Sequence, residues 1–122
     1  MVVLVVDDVS MMRNTLVDVL VNTCGIEKAN IHEAADGRIA VQEYTSKKPD
    51  IVFLDILMPV QDGSETVKKL IELDSNAYII MCSSANDANV VRDCVKNGAL
   101  DYIVKPISPE RVQIAIDKFR AR

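Results

Sequence analysis

The sequence contains few of the side chains on which many binding and catalytic sites depend. Its 122 residues include no Trp, a single His (His32), 2 Phe and 3 Tyr, so the core must be built mainly from aliphatic side chains. The net charge is -4, from 14 basic and 18 acidic residues. This balance leaves no excess of Lys or Arg to neutralise nucleic-acid phosphates, and we expect no direct nucleic-acid binding.

Cysteine is also scarce, and the three cysteines lack the C-x-x-C spacing that is typical of redox and zinc motifs. Cys24, Cys82 and Cys94 each have apolar neighbours, and only one His is present to complete a zinc or catalytic site. A disulfide, zinc or catalytic role is therefore the weaker interpretation. We predict three reduced, mostly buried thiols in a cytoplasmic protein.

Long apolar runs are missing as well, since no stretch approaches the ~18–20 apolar residues of a membrane span. The opening residues, MVVLVV, are apolar but have no basic region before them and are followed at once by Asp7 and Asp8. This segment is too short for a signal peptide. It predicts a buried strand, and we expect no membrane insertion.

Short apolar segments alternate with segments of helical period along the whole chain. The short segments are rich in β-branched residues, which predicts strands buried on both faces of a parallel sheet. They cover residues 2–6, 51–54, 78–82 and 100–104, with a weaker strand at 29–34. Helices are predicted at about 10–23, 37–47, from 64 onward, 87–97 and from 109 onward.

Two helix starts have clear signals. Asp36 is a suitable N-cap for the second helix, and Ser108 followed by Pro109 marks the start of the fifth. The resulting βα units predict one α/β domain over residues 1–122, because right-handed crossovers place helices on both faces of a parallel sheet. The length excludes a closed eight-unit barrel. We predict a flavodoxin-like, doubly wound, five-stranded parallel sheet of order 2-1-3-4-5 with five helices.

Polar side chains occur where the predicted strands end, which is where doubly wound sheets carry their sites. Asp7 and Asp8 follow the first strand, Asp55 the third, Ser83 the fourth and Lys105 the fifth. Two carboxylates about 5 Å apart repel by roughly 3 kcal/mol at an effective dielectric of about 20. Three converging carboxylates therefore need a counter-charge, and Mg²⁺ is the cation that suits such a small oxygen site.

Each of these residues also has a simpler interpretation. Asp8 could cap the next helix, Lys105 could be a solvated surface lysine, and Ser83 could make an ordinary strand-end hydrogen bond. Taken together they favour aspartyl-phosphate chemistry, in which a carboxylate is the nucleophile and cations cover the transferring oxygens.

Four motifs carry a resemblance to a known family. VVDDVSMMR at 5–13, DILMPVQDG at 55–63, MCSS at 81–84 and DYIVKP at 101–106 span most of the chain in a fixed order. The sequence resembles the receiver domains of two-component response regulators, of the single-domain, CheY-like type.

The resemblance implies a role for each strand-end residue. Asp55 would be the phosphoryl acceptor and also a Mg²⁺ ligand. Asp8 would bind the metal directly, Asp7 mainly through water, and Leu57 through its backbone carbonyl. Lys105 would form an ion pair at the phosphorylation site.

Two further residues would form the switch that the resemblance implies. Ser83 would move its hydroxyl toward the phosphoryl group, and Tyr102 would turn inward into the space that Ser83 leaves. The surface of the fourth helix, fifth strand and fifth helix would then change. The protein would be a monomeric, cytoplasmic signalling protein and not an ordinary enzyme.

The partners implied are a sensor histidine kinase and a downstream target, such as a flagellar motor switch or another effector, in chemotaxis or another pathway. In this family the residues two after the acceptor and two after the switch hydroxyl influence how fast the phosphoryl group is lost. Here they are Leu57 and Ala85. Neither can orient a water molecule, so we expect a long-lived phosphorylated form.

Four alternatives remain open from the sequence. A flavin-binding protein would share the fold, but Asp7 and Asp8 replace the hydroxyl-rich phosphate loop that it needs. A hydrolase would need a further acid–base group, which a single His in the second strand does not supply. The chain could also be a receiver-like scaffold that is never phosphorylated, or part of a longer regulator.

Overall fold

The structure is a computed structural model that describes residues 1–56, 58, 62–84 and 88–122. Within these ranges, strands and α-helices alternate, five of each. The strands are β1 Val3–Val6, β2 Ile31–Ala34, β3 Ile51–Asp55, β4 Ile79–Ser83 and β5 Asp101–Val104. The helices are α1 Ser10–Asn22, α2 Gly37–Lys47, α3 Gly63–Leu73, α4 Ala88–Lys96 and α5 Pro109–Ala121.

The strands form one parallel sheet in the order β2-β1-β3-β4-β5, which confirms the predicted topology. β1 lies beside β3, and the order in which successive strands are added to the sheet reverses between them. The loops that follow these two strands therefore meet at one edge of the sheet. Element bounds differ from the prediction by one or two residues, and a 3₁₀ turn at Lys28–Asn30 takes the place of the expected start of β2. Of the described helices, none combines the length and the apolar character needed to cross a bilayer.

Strand side chains alternate between two hydrophobic cores, one on each face of the sheet. In β1, Val3 and Val5 pack in the core under α1 and α5, whereas Leu4 and Val6 pack in the core under α2, α3 and α4. A fully buried aliphatic side chain contributes about 1.5–3 kcal/mol, so both faces must stay apolar along the inner strands. In the inner strands β1, β3 and β4, polar residues are therefore confined to the strand ends.

The predicted caps fix two of the helix starts. Asp36 Oδ1 accepts a hydrogen bond of 2.8 Å from the backbone N–H of Ile39. Ser108 Oγ accepts one of 3.3 Å from the N–H of Arg111, and Pro109 occupies the first turn. Both predictions are confirmed, because each side chain satisfies a backbone donor that the helix cannot.

Strand β5 contradicts the prediction of burial on both faces. Ile103 is buried, but Leu100, Tyr102 and Val104 are 60%, 51% and 41% exposed. The physical reason is that β5 lies at the edge of the sheet beyond β4, and the groove between β5 and α4 leaves one face open. This edge therefore carries an exposed apolar surface that the sequence did not reveal.

The three cysteines agree with their prediction. Cys24, Cys82 and Cys94 are all free and buried. Burial raises the pKa of Cys82 to about 12 and that of Cys94 to about 11. Both thiols are thus neutral at physiological pH and contribute to the core as small apolar groups.

Lys48 provides a test of the end of α2. It has a left-handed backbone with φ 48°, a conformation that costs a residue with a Cβ about 1–2 kcal/mol. We expect Lys48→Gly to raise the free energy of unfolding, measured by urea denaturation, by about 0.5–1 kcal/mol. Lys47→Gly, one residue earlier within the helix, should instead lower it by up to about 1 kcal/mol. Equal losses in both variants would contradict this account.

Candidate functional site

Three carboxylates meet at the carboxyl end of the sheet, as the sequence predicts. Oxygen atoms of Asp7, Asp8 and Asp55 lie within 4.8 Å of one another. Asp7 and Asp55 are only 7% exposed, whereas Asp8 is exposed. They come together because Asp7 directly follows β1, Asp55 ends β3, and these strands are neighbours.

Lys105 supplies a positive charge to this cluster. Its Nζ donates to Asp55 Oδ1 at 3.0 Å and lies 3.4 Å from Asp7 Oδ2. The Lys105 side chain is 21% exposed, so the alternative of a solvated surface lysine does not describe it. The Lys105–Pro106 peptide bond is cis, a feature that the sequence analysis did not predict.

Burial and charge shift the pKa of both members of the closest pair. Burial raises the pKa of Asp55, helped by the negative charges of Asp7 and Asp8, although the hydrogen bond and charge of Lys105 act against this rise. Burial alone would lower the pKa of Lys105, but its hydrogen bond to Asp55 and the two carboxylate charges outweigh burial and raise it. Lys105 therefore remains a cation at neutral pH.

The turn that carries Asp7 and Asp8 is held by hydrogen bonds. Asp7 Oδ1 accepts from the backbone N–H of Val9 at 2.9 Å, and the Asp7 N–H donates to the carbonyl of Ala34 in β2 at 3.1 Å. Val9 occupies the N-cap position of α1. Asp8 is therefore not the cap of this helix, and the simpler interpretation of Asp8 as a helix cap is excluded.

Arg13 belongs to this site although the sequence analysis did not single it out. Its Nη1 donates to the backbone carbonyl of Asp7 at 2.6 Å, and its Nε donates to Glu33 of β2 at 3.2 Å. A signal was present in the sequence. Arg13 lies one turn before Leu16 and Val17 on the inward face of α1, where a charged residue needs a partner.

The residues after Asp55 pack closely against the start of α3. The Gly63 N–H donates to the carbonyl of Ile56 at 2.7 Å, and a Cβ on Gly63 would lie only 2.7 Å from Ile56 Cα. Glycine is required here for close approach. Asp62 caps α3 by accepting from the Glu65 N–H at 2.8 Å, so its side chain has a structural role here.

Ser83 and Tyr102 have the opposite side-chain parity from Asp55 in the sheet. Side chains alternate along a strand, so Ser83 follows the parity of Met81, toward α4, while Asp55 follows that of Phe53. Ser83 and Tyr102 line one groove of about 660 Å³ between α4 and β5. Ser83 is buried, and Tyr102 is 51% exposed, so the tyrosine lies outward in this structure.

Leu57 and Ala85 fall outside the described residues. The expected metal contact of the Leu57 carbonyl therefore stays a prediction, and so does the slow loss of the phosphoryl group that both residues suggest. Pro59, within the DILMPVQDG motif, also lies outside the described residues.

The donor set of the cluster fits a small divalent cation. Hard carboxylate oxygens in a partly open pocket suit Mg²⁺, which prefers one or two carboxylates together with water and a phosphate oxygen. Asp7, Asp8 and Asp55 could hold it, and its charge would offset a repulsion that Lys105 alone does not neutralise.

The comparisons with known proteins agree with this geometry. A family model for the response regulator receiver domain matches residues 3–117. The chain therefore belongs to the receiver domain family, whose members are phosphorylation-dependent switches of two-component signalling.

Three relatives are similar to this chain over nearly its whole length. The chain is 44% identical over 116 residues to the chemotaxis protein CheY of Thermotoga maritima, covering 95% of this chain and 94% of the relative. It is 41% identical over 116 residues to chemotaxis protein CheY of Bacillus subtilis, with the same coverage of 95% and 94%. A chain in the crystal structure of the CheX–CheY–BeF3–Mg²⁺ complex from Borrelia burgdorferi is 34% identical, with a TM-score of 0.89 and coverage of 98% and 89%.

Asp8 offers a test of the charge balance in the cluster. In EDTA, we expect Asp8→Asn to raise the free energy of unfolding by up to about 1 kcal/mol, because it relieves repulsion from Asp7 and Asp55. Wild-type protein should gain about 1.4 kcal/mol when Mg²⁺ is present at ten times its Kd, and Asp8→Asn should gain much less. Chemical denaturation with and without Mg²⁺ measures both effects.

The matched control is Asp18→Asn, which removes the same charge from an exposed position on α1. It should keep the wild-type response to Mg²⁺. A full Mg²⁺ response in Asp8→Asn, or a loss of stability in EDTA, would contradict the assignment of Asp8 to this cluster.

Proposed function

We propose that Asp55 accepts a phosphoryl group, with Lys105 and Ser83 assisting, and that residues 1–122 act as one receiver domain. One observation carries this proposal. Asp55 is a buried carboxylate among two other acids, and a lysine lies 3.0 Å from one of its oxygens. A carboxylate held in this way is suited to attack a phosphoryl group, since positioning and charge compensation are the main requirements of this chemistry.

In the proposed reaction, a carboxylate oxygen of Asp55 attacks the phosphorus of a phosphohistidine. A P–O bond to Asp55 forms, the P–N bond breaks, and the imidazole leaves with the bonding electron pair and takes up a proton. Lys105 stabilises the negative charge on the transferring oxygens. Asp8 and Asp55 would bind Mg²⁺ directly, with Asp7 acting through water and Leu57 through its carbonyl. The metal, when bound, supplies further positive charge to the phosphoryl oxygens.

Phosphorylation would then change the groove on the opposite face of the sheet. The added group brings roughly two negative charges, and Ser83, at the end of the neighbouring strand, would turn toward it. Tyr102 would enter the space left in the groove that both residues line. Moving a population from mostly inactive to mostly active needs about 5.5 kcal/mol of differential stabilisation, and partial switching needs less.

The groove would be the output surface. It combines apolar side chains of Val91 and Val95 with the cations Arg92 and Lys96, and the exposed Tyr102 and Val104 continue it on β5. A partner with apolar and acidic residues would fit this surface, and its binding would depend on the switch.

The partners proposed are a sensor histidine kinase and an effector. The two relatives named CheY favour chemotaxis as the pathway, with a flagellar motor switch or another effector as the target. A monomeric form and a cytoplasmic location, where a kinase could deliver the phosphoryl group, are parts of the same proposal.

The acceptor can be tested by intact mass spectrometry. Incubation with acetyl phosphate and Mg²⁺ should add one phosphoryl group to the wild-type protein. Asp55→Asn should show no such gain, because the nucleophile is removed. The same spectra, followed over time after donor removal, give the lifetime of the phosphorylated form.

Asp62→Asn is the matched control for this experiment. Asp62 caps α3 close to the acceptor, and Asn is an equally good cap, so this variant should still gain one group. Absence of any gain in the wild-type protein would favour a scaffold that is never phosphorylated. Equal gains in wild type and Asp55→Asn would assign the acceptor to another residue.

The proposed switch can be tested by hydrogen–deuterium exchange. With acetyl phosphate and Mg²⁺, amide exchange should change in peptides that cover α4 and β5, and remain unchanged in peptides that cover α2. The change should vanish in Asp55→Asn and be reduced in Ser83→Ala. Phosphorylation by mass without any change at α4 and β5 would refute this output surface.

A further inference from the structure

Arg13 is an ionic residue on the inward face of α1. Its side chain is 18% exposed, and it lies one turn before the buried residues Leu16 and Val17. An ionised group at such a depth is costly unless hydrogen bonds satisfy it. In this structure the Asp7 carbonyl and the Glu33 carboxylate provide those hydrogen bonds.

The guanidinium joins three elements at the acidic cluster. It projects from α1, donates to the Asp7 carbonyl after β1 at 2.6 Å, and pairs with Glu33 of β2 at 3.2 Å. Glu33 is itself aligned with Val5 of β1 in the sheet. The planar guanidinium holds two acceptors through donors that are rigidly fixed relative to one another, whereas the ammonium of a lysine rotates freely on a flexible stem.

The accepting carbonyl belongs to the peptide that connects Asp7 to Asp8. The other groups of Asp7 are also engaged, because its N–H donates to Ala34 and its Oδ1 accepts from Val9. Fixing the carbonyl therefore removes the remaining freedom of this peptide to rotate. Asp8 is the exposed member of the cluster, so its direction depends most on the backbone that precedes it.

We propose that Arg13 is a positioning residue for Mg²⁺ binding, acting through the Asp7–Asp8 peptide. This inference rests on the proposed metal site at Asp7, Asp8 and Asp55. Loss of the guanidinium should weaken Mg²⁺ binding by about tenfold or more, the range seen when groups that orient metal ligands are removed. The phosphorylation rate at saturating Mg²⁺ should change much less, because Arg13 contacts neither the acceptor nor the phosphoryl group.

Simple electrostatics predicts the opposite sign. Arg13 is a cation near a site for a cation, so removing its charge should by Coulomb's law tighten Mg²⁺ binding. The direction of the change therefore separates positioning from charge alone. A variant that only lost folding stability would keep the wild-type Mg²⁺ Kd in its folded fraction. The ranking of the variants by their Kd would therefore not follow their stability.

The test is calorimetric titration of Mg²⁺, without phosphodonor, into wild type, Arg13→Gln, Arg13→Lys and Glu33→Gln. We expect the Kd to rise most in Arg13→Gln. It should rise less in Arg13→Lys, which can still donate to one acceptor, and in Glu33→Gln, which keeps the bond to Asp7. Arg38→Gln, which removes an exposed arginine from α2, is the matched control and should not weaken binding.

A second measurement follows phosphorylation by acetyl phosphate as Mg²⁺ is varied. The half-saturating Mg²⁺ concentration should rise in parallel with the Kd, while the maximal rate approaches that of wild type. An unchanged or lower Kd in Arg13→Gln would overturn the proposal. If Arg13→Gln does not fold, an unchanged or lower Kd in both Arg13→Lys and Glu33→Gln would overturn the proposal. Failure of wild type to bind Mg²⁺ or to be phosphorylated would instead refute the proposed function.

Discussion

Repulsion among the carboxylates of Asp7, Asp8 and Asp55 is the constraint on which the site depends. Their oxygens lie within 4.8 Å of one another, a distance at which like charges repel, and the repulsion is weaker for the exposed Asp8 because solvent screens it. Lys105 offsets part of this through contacts of 3.0 and 3.4 Å. One cation among three acids leaves the site short of positive charge. In the proposed function, this shortage would favour a divalent cation and, with it, an anionic phosphoryl group.

The two-residue period of the strands divides the proposed chemistry between the faces of the sheet. Asp55 and Lys105 share the parity of the core under α1 and α5, whereas Ser83 and Tyr102 share that of the opposite core. Asp55 and Ser83 nevertheless end adjacent strands. In the proposed switch, a charge added at Asp55 would act on Ser83 across a single strand spacing, and Ser83 lines the groove beside α4.

Helices support the cluster from both sides through contacts with the backbone. Arg13 of α1 holds the carbonyl of Asp7, and Gly63 of α3 packs against Ile56, directly after Asp55. In each case a helix fixes the peptide beside a carboxylate and leaves the carboxylate itself free for chemistry. Such support is needed because the loops at strand ends have little regular hydrogen bonding of their own.

The sequence by itself determined the alternation of elements, the caps at Asp36 and Ser108, and the set of polar strand ends, because these follow from local periodicity and residue type. The strand order was predicted from the flavodoxin-like fold type that this alternation resembles. Tertiary structure alone decided that one face of β5 stays uncovered, because this depends on how α4 packs beside the edge strand. It also brought Arg13 to Asp7. Contacts between residues far apart in the chain have no local signature beyond residue type, and a charged residue on an apolar helix face was the one hint available.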